Sequence, residues 1–350
     1  MPMSETQPAT QSPLDHGGPP VVLSGVGHYF PGEPVTNDHF AQLPGLDVDD
    51  AWIRRYTGVR TRHWAGPEER FAEMGVKAAR QALDDAGLDI SDVDVIVGTS
   101  ATARPRANPS SIGNNYMDIS LPVQRQLGAR DAFCFDVTAV ACAGFLYASV
   151  VARGLLATTG ARTALVVCAE SPRAILNFGF KNSALFGAGA AAAVWRRGES
   201  VGGGTDGLPT RSGMVDVVLR ADGRYYDAFD IDENDKMVMR GGVLSEVTPD
   251  MLVDAGQTVL KRNGLTPEQI SWCVPHQANT NLLHPMADRL GIPRERMLLN
   301  LPRRGNTSSV GMPSALSEYV RDGTVKPGEL LLGVSIGRGL SWGAMVFRYQ

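Results

Sequence analysis

The chain has 350 residues, of which 43% are hydrophobic and 20% charged, with 39 glycines and a formal net charge of -4. This composition predicts a folded α/β protein with two cores or one large double one, and it excludes a disordered chain. The slight negative charge and the aromatic content of 7% give no reason to expect a nucleic-acid partner.

The N-terminal segment and the cysteines predict the cellular setting. Residues 1–20 have neither a basic start nor an apolar stretch, so we expect a disordered tail rather than a signal peptide. No apolar run approaches the length of a membrane span, and we expect no membrane association. The four cysteines form no C-x-x-C pair, which argues against a disulfide framework and against a metal site. We therefore expect a cytoplasmic protein.

Apolar periodicity and turn residues predict alternating strands and helices along the chain. In chain order, we expect a strand at 21–26, helices at 47–55 and 69–86, and strands at 93–97 and 132–137. They are followed by a helix at 145–156, a strand at 164–168, a helix at 314–320 and a strand at 330–334. The strands are nearly continuous apolar runs, which is typical of sheets covered on both faces.

Two stretches of the chain resemble each other at a constant offset. Residues 82–97 read A-L-D-D-A-G-L-D-I-S-D-V-D-V-I-V, and residues 259–274 read V-L-K-R-N-G-L-T-P-E-Q-I-S-W-C-V. Each predicts a helix that ends at Gly-Leu, then a polar linker, then a buried strand. This repeat predicts two similar α/β halves, at 21–197 and 214–350, joined by a glycine-rich linker at 198–213.

Three candidate functional residues lie where predicted strands end, which is where ligand sites form in α/β sheets. Cys142 stands in D-V-T-A-V-A-C-A-G-F-L at 136–146, between a predicted strand and a predicted helix. The N-terminus of that helix would favour the thiolate, which is the nucleophilic form. A buried structural cysteine is the alternative, and for this residue taken alone it is the commoner case.

The other two residues are His276 and Asn306. His276 lies in C-V-P-H-Q-A-N, where a helix N-terminus would keep the ring neutral and able to donate a hydrogen bond. Asn306 lies in R-R-G-N-T-S-S-V-G, and its amide would donate toward developing negative charge. The structural alternatives are a capping histidine at a buried turn and an asparagine N-cap.

The glycine-rich stretch V-S-I-G-R-G-L-S-W-G-A at 334–344 is a fourth candidate element. Its glycines would let backbone N–H groups approach a ligand and, with the N–H of Cys142, form an oxyanion hole. A plain glycine-rich hairpin is the commoner alternative. Cysteine, histidine and asparagine act together in Cys-His-Asn proteases and in ketosynthases, but protease folds do not give this duplicated α/β pattern.

The sequence resembles the β-ketoacyl-acyl-carrier-protein synthase III type of thiolase-fold ketosynthase over residues 21–349. The motifs that carry the resemblance are A-C-A-G-F around Cys142, P-H-Q-A-N at 275–279, G-N-T-S at 305–308 and G-L-S-W-G-A at 339–344, with W-I-R-R-Y-T-G-V-R at 52–60 and L-F-G-A-G-A at 185–190 as supporting matches. It implies a thiolase fold with α-β-α-β-α layers and a homodimer.

The resemblance also implies a reaction. Cys142 would take an acyl group from a coenzyme A or acyl-carrier-protein thioester. His276 and Asn306 would hydrogen-bond the carbonyl of a malonyl-type extender, whose enolate, formed as carbon dioxide leaves, attacks the acyl group. The backbone N–H groups of Cys142 and of the turn at Arg338 and Gly339 would bind the oxyanion.

Substrate contacts and substrates follow from the same resemblance. The residues assigned to substrate binding are Trp52, Arg60, Asn279, Asn281 and Ile336. No cofactor is implied, because coenzyme A or phosphopantetheine thioesters are the substrates.

Several positions depart from the family pattern. Tyr56 stands where a family arginine contacts the cofactor phosphates, Asn281 replaces an arginine that grips the carrier protein, Ala188 replaces an acid and Arg338 replaces the middle glycine of a G-G-G turn. The loop at 99–122 is longer than usual. These changes favour an enzyme of polyketide or related specialised metabolism over the fatty-acid initiator. An acyltransferase that moves the acyl group to a hydroxyl or amine without condensation is the alternative, and a catalytically silent partner subunit is a third.

Overall fold

The computed structural model describes residues 19–66, 69–103, 118–198 and 213–350. In this part of the chain the strands, numbered in chain order, are β1 (Val21–Tyr29), β2 (Val35–Thr36), β3 (Thr61–Arg62), β4 (Val95–Thr99), β5 (Phe133–Asp136), β6 (Thr163–Glu170), β7 (Gly189–Arg197), β8 (Met214–Ala221), β9 (Phe229–Ile231), β10 (Met237–Met239), β11 (Trp272–Pro275), β12 (Leu330–Gly337) and β13 (Ser341–Arg348). The α-helices are α1 (Asn37–Ala41), α2 (Asp50–Thr57), α3 (Phe71–Ala86), α4 (Ser120–Leu127), α5 (Gly144–Thr158), α6 (Gly241–Arg262), α7 (Thr280–Leu290), α8 (Leu301–Arg304) and α9 (Gly311–Arg321).

The predicted strands and helices are present, and several of them begin or end a few residues from the predicted positions. The helix expected at 47–55 begins at Asp50, because the Asp49 side chain accepts a hydrogen bond from the Trp52 N–H and acts as its N-cap. The helix expected at 314–320 begins three residues earlier, at Gly311. The strand predicted at 330–334 is β12, and it pairs with β13 to form the glycine-rich hairpin at 334–344.

The internal repeat is confirmed by two sheets of matching topology. The first sheet has the order β1-β7-β6-β4-β5, and the second has β8-β13-β12-β11. In both, the two strands at one end are antiparallel to their neighbours and the next pair is parallel. The second sheet, as described, has no strand equivalent to β5. At that position Met297 makes a single parallel bridge to Cys273 of β11.

The two copies of the repeated stretch end their helices in the same way. Gly87 and Gly264 adopt the left-handed conformation, with φ of 62° and 64°. The N–H groups of Leu88 and Leu265 then bond back to the carbonyls of Leu83 and Leu260, each at 3.0 Å. These are the bonds of a Schellman-type helix end, and glycine supplies the positive φ that it needs.

The elements stack in five layers, which confirms the predicted α-β-α-β-α architecture. Helices α3 and α4 cover the outer face of the first sheet, α5 and α9 lie between the sheets, and α6 and α7 cover the second. Each interface has its own apolar core. The central core includes Phe145, Leu316, Trp195 and Phe347, each at most 1% exposed.

Two sequence expectations about apolar segments were wrong. The segment Ala141–Thr158, which contains α5, is long and apolar enough to span a membrane, with a mean hydropathy of 1.4. Its buried side chains, among them Leu146 and Leu156, are instead packed between the two sheets. Strand β5 is not covered on both faces, because Phe133 and Phe135 at the sheet edge are 45% and 37% exposed.

Three expectations fall on residues that the structure does not describe. Most of the tail at 1–20 lies outside the described residues, as does the loop segment at 104–117. The linker at 198–213 falls almost wholly outside them too, between the end of β7 and the start of β8. The division into domains at this linker therefore stays a prediction.

Close packing of α3 on β1 gives a stability prediction. A Cβ added at Gly25 would lie 2.2 Å from the Ala82 carbonyl oxygen and 2.7 Å from the Ala86 nitrogen, both backbone atoms. We therefore expect Gly25→Ala to lower the free energy of unfolding by about 1–3 kcal/mol, measured by urea denaturation.

The matched control is Gly154→Ala in α5, where the added Cβ meets no atom within 4 Å. This substitution should raise the free energy of unfolding by about 0.5–1 kcal/mol, because alanine loses less conformational freedom than glycine in a helix. Equal effects of the two substitutions would contradict the packing argument.

Candidate active site

Cys142 lies in a one-turn 3-10 helix, Ala141–Ala143, that joins the segment after β5 to α5. The turn is strained: Ala139 and Ala141 have positive φ values of 69° and 45°, which non-glycine residues rarely adopt. Such strain persists only where surrounding structure enforces it, and it is frequent at active sites.

The second half of the chain holds this turn in place. The Ser335 hydroxyl of β12 donates to the Cys142 carbonyl oxygen at 2.9 Å. A Cβ on Gly337 would lie 1.9 Å from the Val140 carbonyl oxygen and 2.8 Å from the Cys142 nitrogen. Only glycine lets the two backbones come this close, so β12 fixes the position of Cys142.

His276 directly follows β11, and its backbone N–H bonds to the Val334 carbonyl at 2.8 Å. His276 is 5% exposed. Burial lowers the pKa of its ring to about 4, and a hydrogen bond with the Ser308 backbone opposes this shift. The neutral ring expected from the sequence is therefore confirmed, although the cause is burial. Helix α7 begins only at Thr280, four residues later.

Asn306 is fixed by its own backbone and by Ser308. Its N–H donates to Leu185 at 2.8 Å, and its carbonyl accepts from Gly187 at 3.0 Å. Its side-chain oxygen accepts from the Ser308 N–H at 2.9 Å, which leaves the amide NH₂ as the available donor. Asn306 is not the N-cap residue of α9 or of the 3-10 helix Ser308–Val310, which are Val310 and Thr307, but its side chain does accept from the first N–H of that 3-10 helix.

Two cavities meet at Cys142 and Asn306, which line both. The smaller, of about 230 Å³, is lined by residues of α2, α6 and α7 and also by His276, and we call it the helix cavity. The larger, of about 480 Å³, is lined in part by the β9–β10 hairpin, and we call it the hairpin cavity. The structure thus brings the three predicted catalytic residues together.

The predicted substrate residues divide between the helix cavity and the surface. Asn279, Asn281 and Ile336 line the cavity, although Asn279 also caps α7 by accepting from the Leu282 N–H. Trp52 does not line it, but its ring is 5.1 Å from that of Tyr56, which does. Arg60 is exposed and lines neither cavity, so the structure gives it no contact with the site.

Glu170 is a buried carboxylate in the hairpin cavity that the sequence reasoning missed. It ends β6, is 0% exposed, and accepts hydrogen bonds from Ala101, Thr102, Ser100 and Ser309. Such a set of donors satisfies the charge in the protein interior. An acidic residue just after the strand predicted at 164–168 was the signal available in the sequence.

The environment of Cys142 contradicts the expected thiolate. Burial, with a smaller contribution from the Glu170 charge, raises the pKa of the Cys142 thiol to about 12. The Ser308 hydroxyl and the backbone N–H of Cys142 itself oppose this shift, but burial outweighs them. The resting group is a thiol because desolvation disfavours its anion.

The turn predicted to supply the oxyanion hole lies between β12 and β13. Arg338 follows Gly337 and lines the hairpin cavity, whereas Gly339, with φ of 130°, lines neither cavity. The backbone N–H of Cys142 lies close enough to the sulfur of the same residue to lower the thiol pKa. The role of these N–H groups stays a prediction.

Solved structures share this fold. The chain aligns with 3-oxoacyl-[acyl-carrier-protein] synthase III from Aquifex aeolicus at a TM-score of 0.83 and 32% identity, covering 94% of this chain and all of that one. It aligns equally well, at 0.83 and 30% identity, with the priming β-ketosynthase of a polyketide biosynthetic pathway, covering 98% and 99%. The fold is that of the thiolase-fold ketosynthases.

Comparison with related sequences identifies the family within this fold. The family model for 3-oxoacyl-[acyl-carrier-protein] synthase III matches residues 135–223, and the model for its C-terminal part matches 260–349. The chain is 36% identical over 336 residues to β-ketoacyl-[acyl-carrier-protein] synthase III of Rhodobacter capsulatus, covering 94% of this chain and 98% of that protein. It is 37% identical to the enzyme of the same name from Rhodospirillum rubrum, covering 93% and 98%. The chain therefore belongs to the 3-oxoacyl-[acyl-carrier-protein] synthase III family of condensing enzymes.

The pKa of Cys142 gives a prediction about its reactivity. With a pKa near 12, the thiolate fraction should rise about tenfold for each pH unit between pH 6 and pH 9. Alkylation of Cys142 by iodoacetamide, followed by peptide mass spectrometry, should therefore rise without a plateau in this range. Cys142→Ser provides the background from the other three thiols, and a plateau below pH 8 would show a stabilised thiolate instead.

Proposed function

We propose that the chain is a ketosynthase in which Cys142 is acylated from an acyl-coenzyme A or acyl-carrier-protein thioester and then condensed with a malonyl-type extender. The observation that carries this proposal is the meeting of two cavities at Cys142 and Asn306, with neutral His276 lining one of them. One cavity can hold the acyl group while the other admits the thioester arm.

The protonation states support this chemistry. A neutral His276 has a ring N–H to donate, and Asn306 has its amide NH₂, so both act as donors toward a thioester carbonyl without adding a charge. During acylation, the Cys142 sulfur forms a bond to the acyl carbon, the bond to the donor sulfur breaks, and the thiol proton passes to the leaving thiolate. Loss of carbon dioxide from the extender then gives an enolate that these two donors stabilise.

Specialised metabolism, such as polyketide priming, is the pathway that we propose. In its support, the helix cavity has Tyr56 and Asn281 where the family pattern has arginines, and Asn281 is bonded through its amide to the Tyr56 carbonyl at 3.2 Å. Coenzyme A or phosphopantetheine thioesters would enter as substrates through this cavity, with no further cofactor. The free thiols of Cys134, Cys142, Cys168 and Cys273 favour a reducing, cytoplasmic setting.

Acylation and decarboxylation can be separated experimentally. Incubation with a panel of acyl-coenzyme A thioesters should add the acyl mass to the protein, and malonyl thioester should then release carbon dioxide. Asn306→Ala should keep acylation largely intact and reduce carbon dioxide release by about 10²-fold, because it removes one donor to the enolate.

Cys142→Ala is the control and should form no adduct. Loss of acylation in Asn306→Ala would contradict the assigned role of the amide. Acylation of the wild type without any carbon dioxide release would favour transfer to a hydroxyl or amine over condensation. An unmodified protein mass with every coenzyme A and carrier-protein donor would refute both the ketosynthase and the acyltransferase function.

We also propose a homodimer that forms through β5. This strand is the edge of the first sheet, and its exposed Phe133 and Phe135 give it an apolar face. An apolar edge strand left uncovered is an aggregation hazard, and pairing with a second copy about a twofold axis removes it.

The mass of the protein in solution tests the dimer. Light scattering after size-exclusion chromatography should give twice the mass of the chain, and joint replacement of Phe133 and Phe135 by glutamate should give the monomer. Tyr226→Glu changes an even more exposed aromatic residue, in the second half of the chain, and should leave the dimer intact. A wild-type monomer would refute the proposal.

A further inference from the structure

The hairpin cavity contains a positively charged side chain, for which an uncharged fatty-acyl group offers no partner. Among its described lining residues, Arg338 is the one cation, and the carboxylates are Glu170 and Asp230. The remaining lining is largely small or apolar and includes Ile175, Phe186 and Met237. A cation in such a cavity is costly unless it is paired.

Arg338 is not paired within the described part of the chain. Its Nε donates to the Phe229 carbonyl oxygen of β9 at 3.3 Å, and it forms no ion pair with any described residue. Glu170 is already satisfied by its own donors, and an oxygen of the exposed Asp230 accepts from the Ile231 N–H. The two NH₂ groups of the guanidinium are therefore available to a ligand.

The position of Arg338 relative to the nucleophile sets the size of that ligand. Gly337, its neighbour in the chain, packs on the Cys142 backbone, where an added Cβ would lie 2.8 Å from the Cys142 nitrogen. From this start the Arg338 side chain extends to the Phe229 carbonyl of β9, and Arg338 and Cys142 line the same cavity. A group that it binds stands at the far end of a short acyl chain.

We propose that the hairpin cavity selects a short acyl group that ends in a carboxylate, which Arg338 binds through its guanidinium fork. The inference rests on the proposed function, because the acyl group must first be transferred to Cys142. Planar guanidinium and carboxylate groups form two parallel hydrogen bonds, and the half-buried setting strengthens them. The methylene groups between carboxylate and thioester contact the apolar lining.

The chemical step is an ordinary thioester exchange. The Cys142 sulfur bonds to the carbonyl carbon next to the coenzyme A sulfur, that carbon–sulfur bond breaks, and coenzyme A leaves with the proton. The distal carboxylate keeps its charge throughout and takes no part in bond making. An acyl group of the same length with a methyl end leaves Arg338 unpaired, and this difference is the source of selectivity.

Succinyl- and butyryl-coenzyme A test the inference, because their acyl chains have equal length and differ in charge. The readout is the ratio of the two rates of Cys142 acylation by intact mass. We expect Arg338→Gln to lower the succinyl-to-butyryl ratio about tenfold or more, and Arg338→Lys to restore part of it. The methyl ester of succinyl-coenzyme A should behave as butyryl-coenzyme A does in the wild type.

Arg224→Gln is the matched control, since Arg224 is an exposed arginine that pairs with Asp222 and lines neither cavity. Its ratio should equal that of the wild type. An unchanged ratio in Arg338→Gln, with butyryl transfer still measurable, would overturn the inference and leave the proposed function standing. Absence of any adduct with all three donors would instead overturn both.

Discussion

The site depends on one close backbone contact, between Gly337 at the end of β12 and the strained turn that carries Cys142. Any side chain at Gly337 would collide with the Val140 carbonyl oxygen, at 1.9 Å for the first carbon. Through this contact the second half of the chain fixes the position of Cys142, the proposed nucleophile, in the first. The same half supplies His276 and Asn306, so one packing arrangement sets the relative positions of all three residues.

The electrostatics of the site follow from burial rather than from helix ends. Desolvation keeps both Cys142 and His276 uncharged, with pKa values near 12 and 4, and Glu170 is a buried carboxylate that lines the hairpin cavity with Cys142. In such a low-dielectric site, negative charge that develops on a substrate is stabilised mainly by fixed donors.

Much of this arrangement could be predicted from the sequence, because it depends on local signals. Gly87 and Gly264 mark the repeat, since each ends a helix in a conformation that favours glycine. The strand-end rule brought Cys142, His276 and Asn306 to one place. The pKa of Cys142 and the β9–β10 hairpin could not be predicted, because burial and cavity lining depend on contacts between segments distant in the chain.

A site built on backbone groups also explains how its specificity can change without loss of its chemistry. The turn after β12 would donate through backbone N–H groups, which every residue except proline possesses. Arg338 can therefore replace a glycine of the family pattern and still offer its N–H, while its side chain enters the hairpin cavity. Gly337 has no such freedom, because its lack of a side chain is what positions Cys142. In the proposed function, adjacent residues of one turn thus separate the positioning of Cys142, at Gly337, from the choice of acyl group, at Arg338.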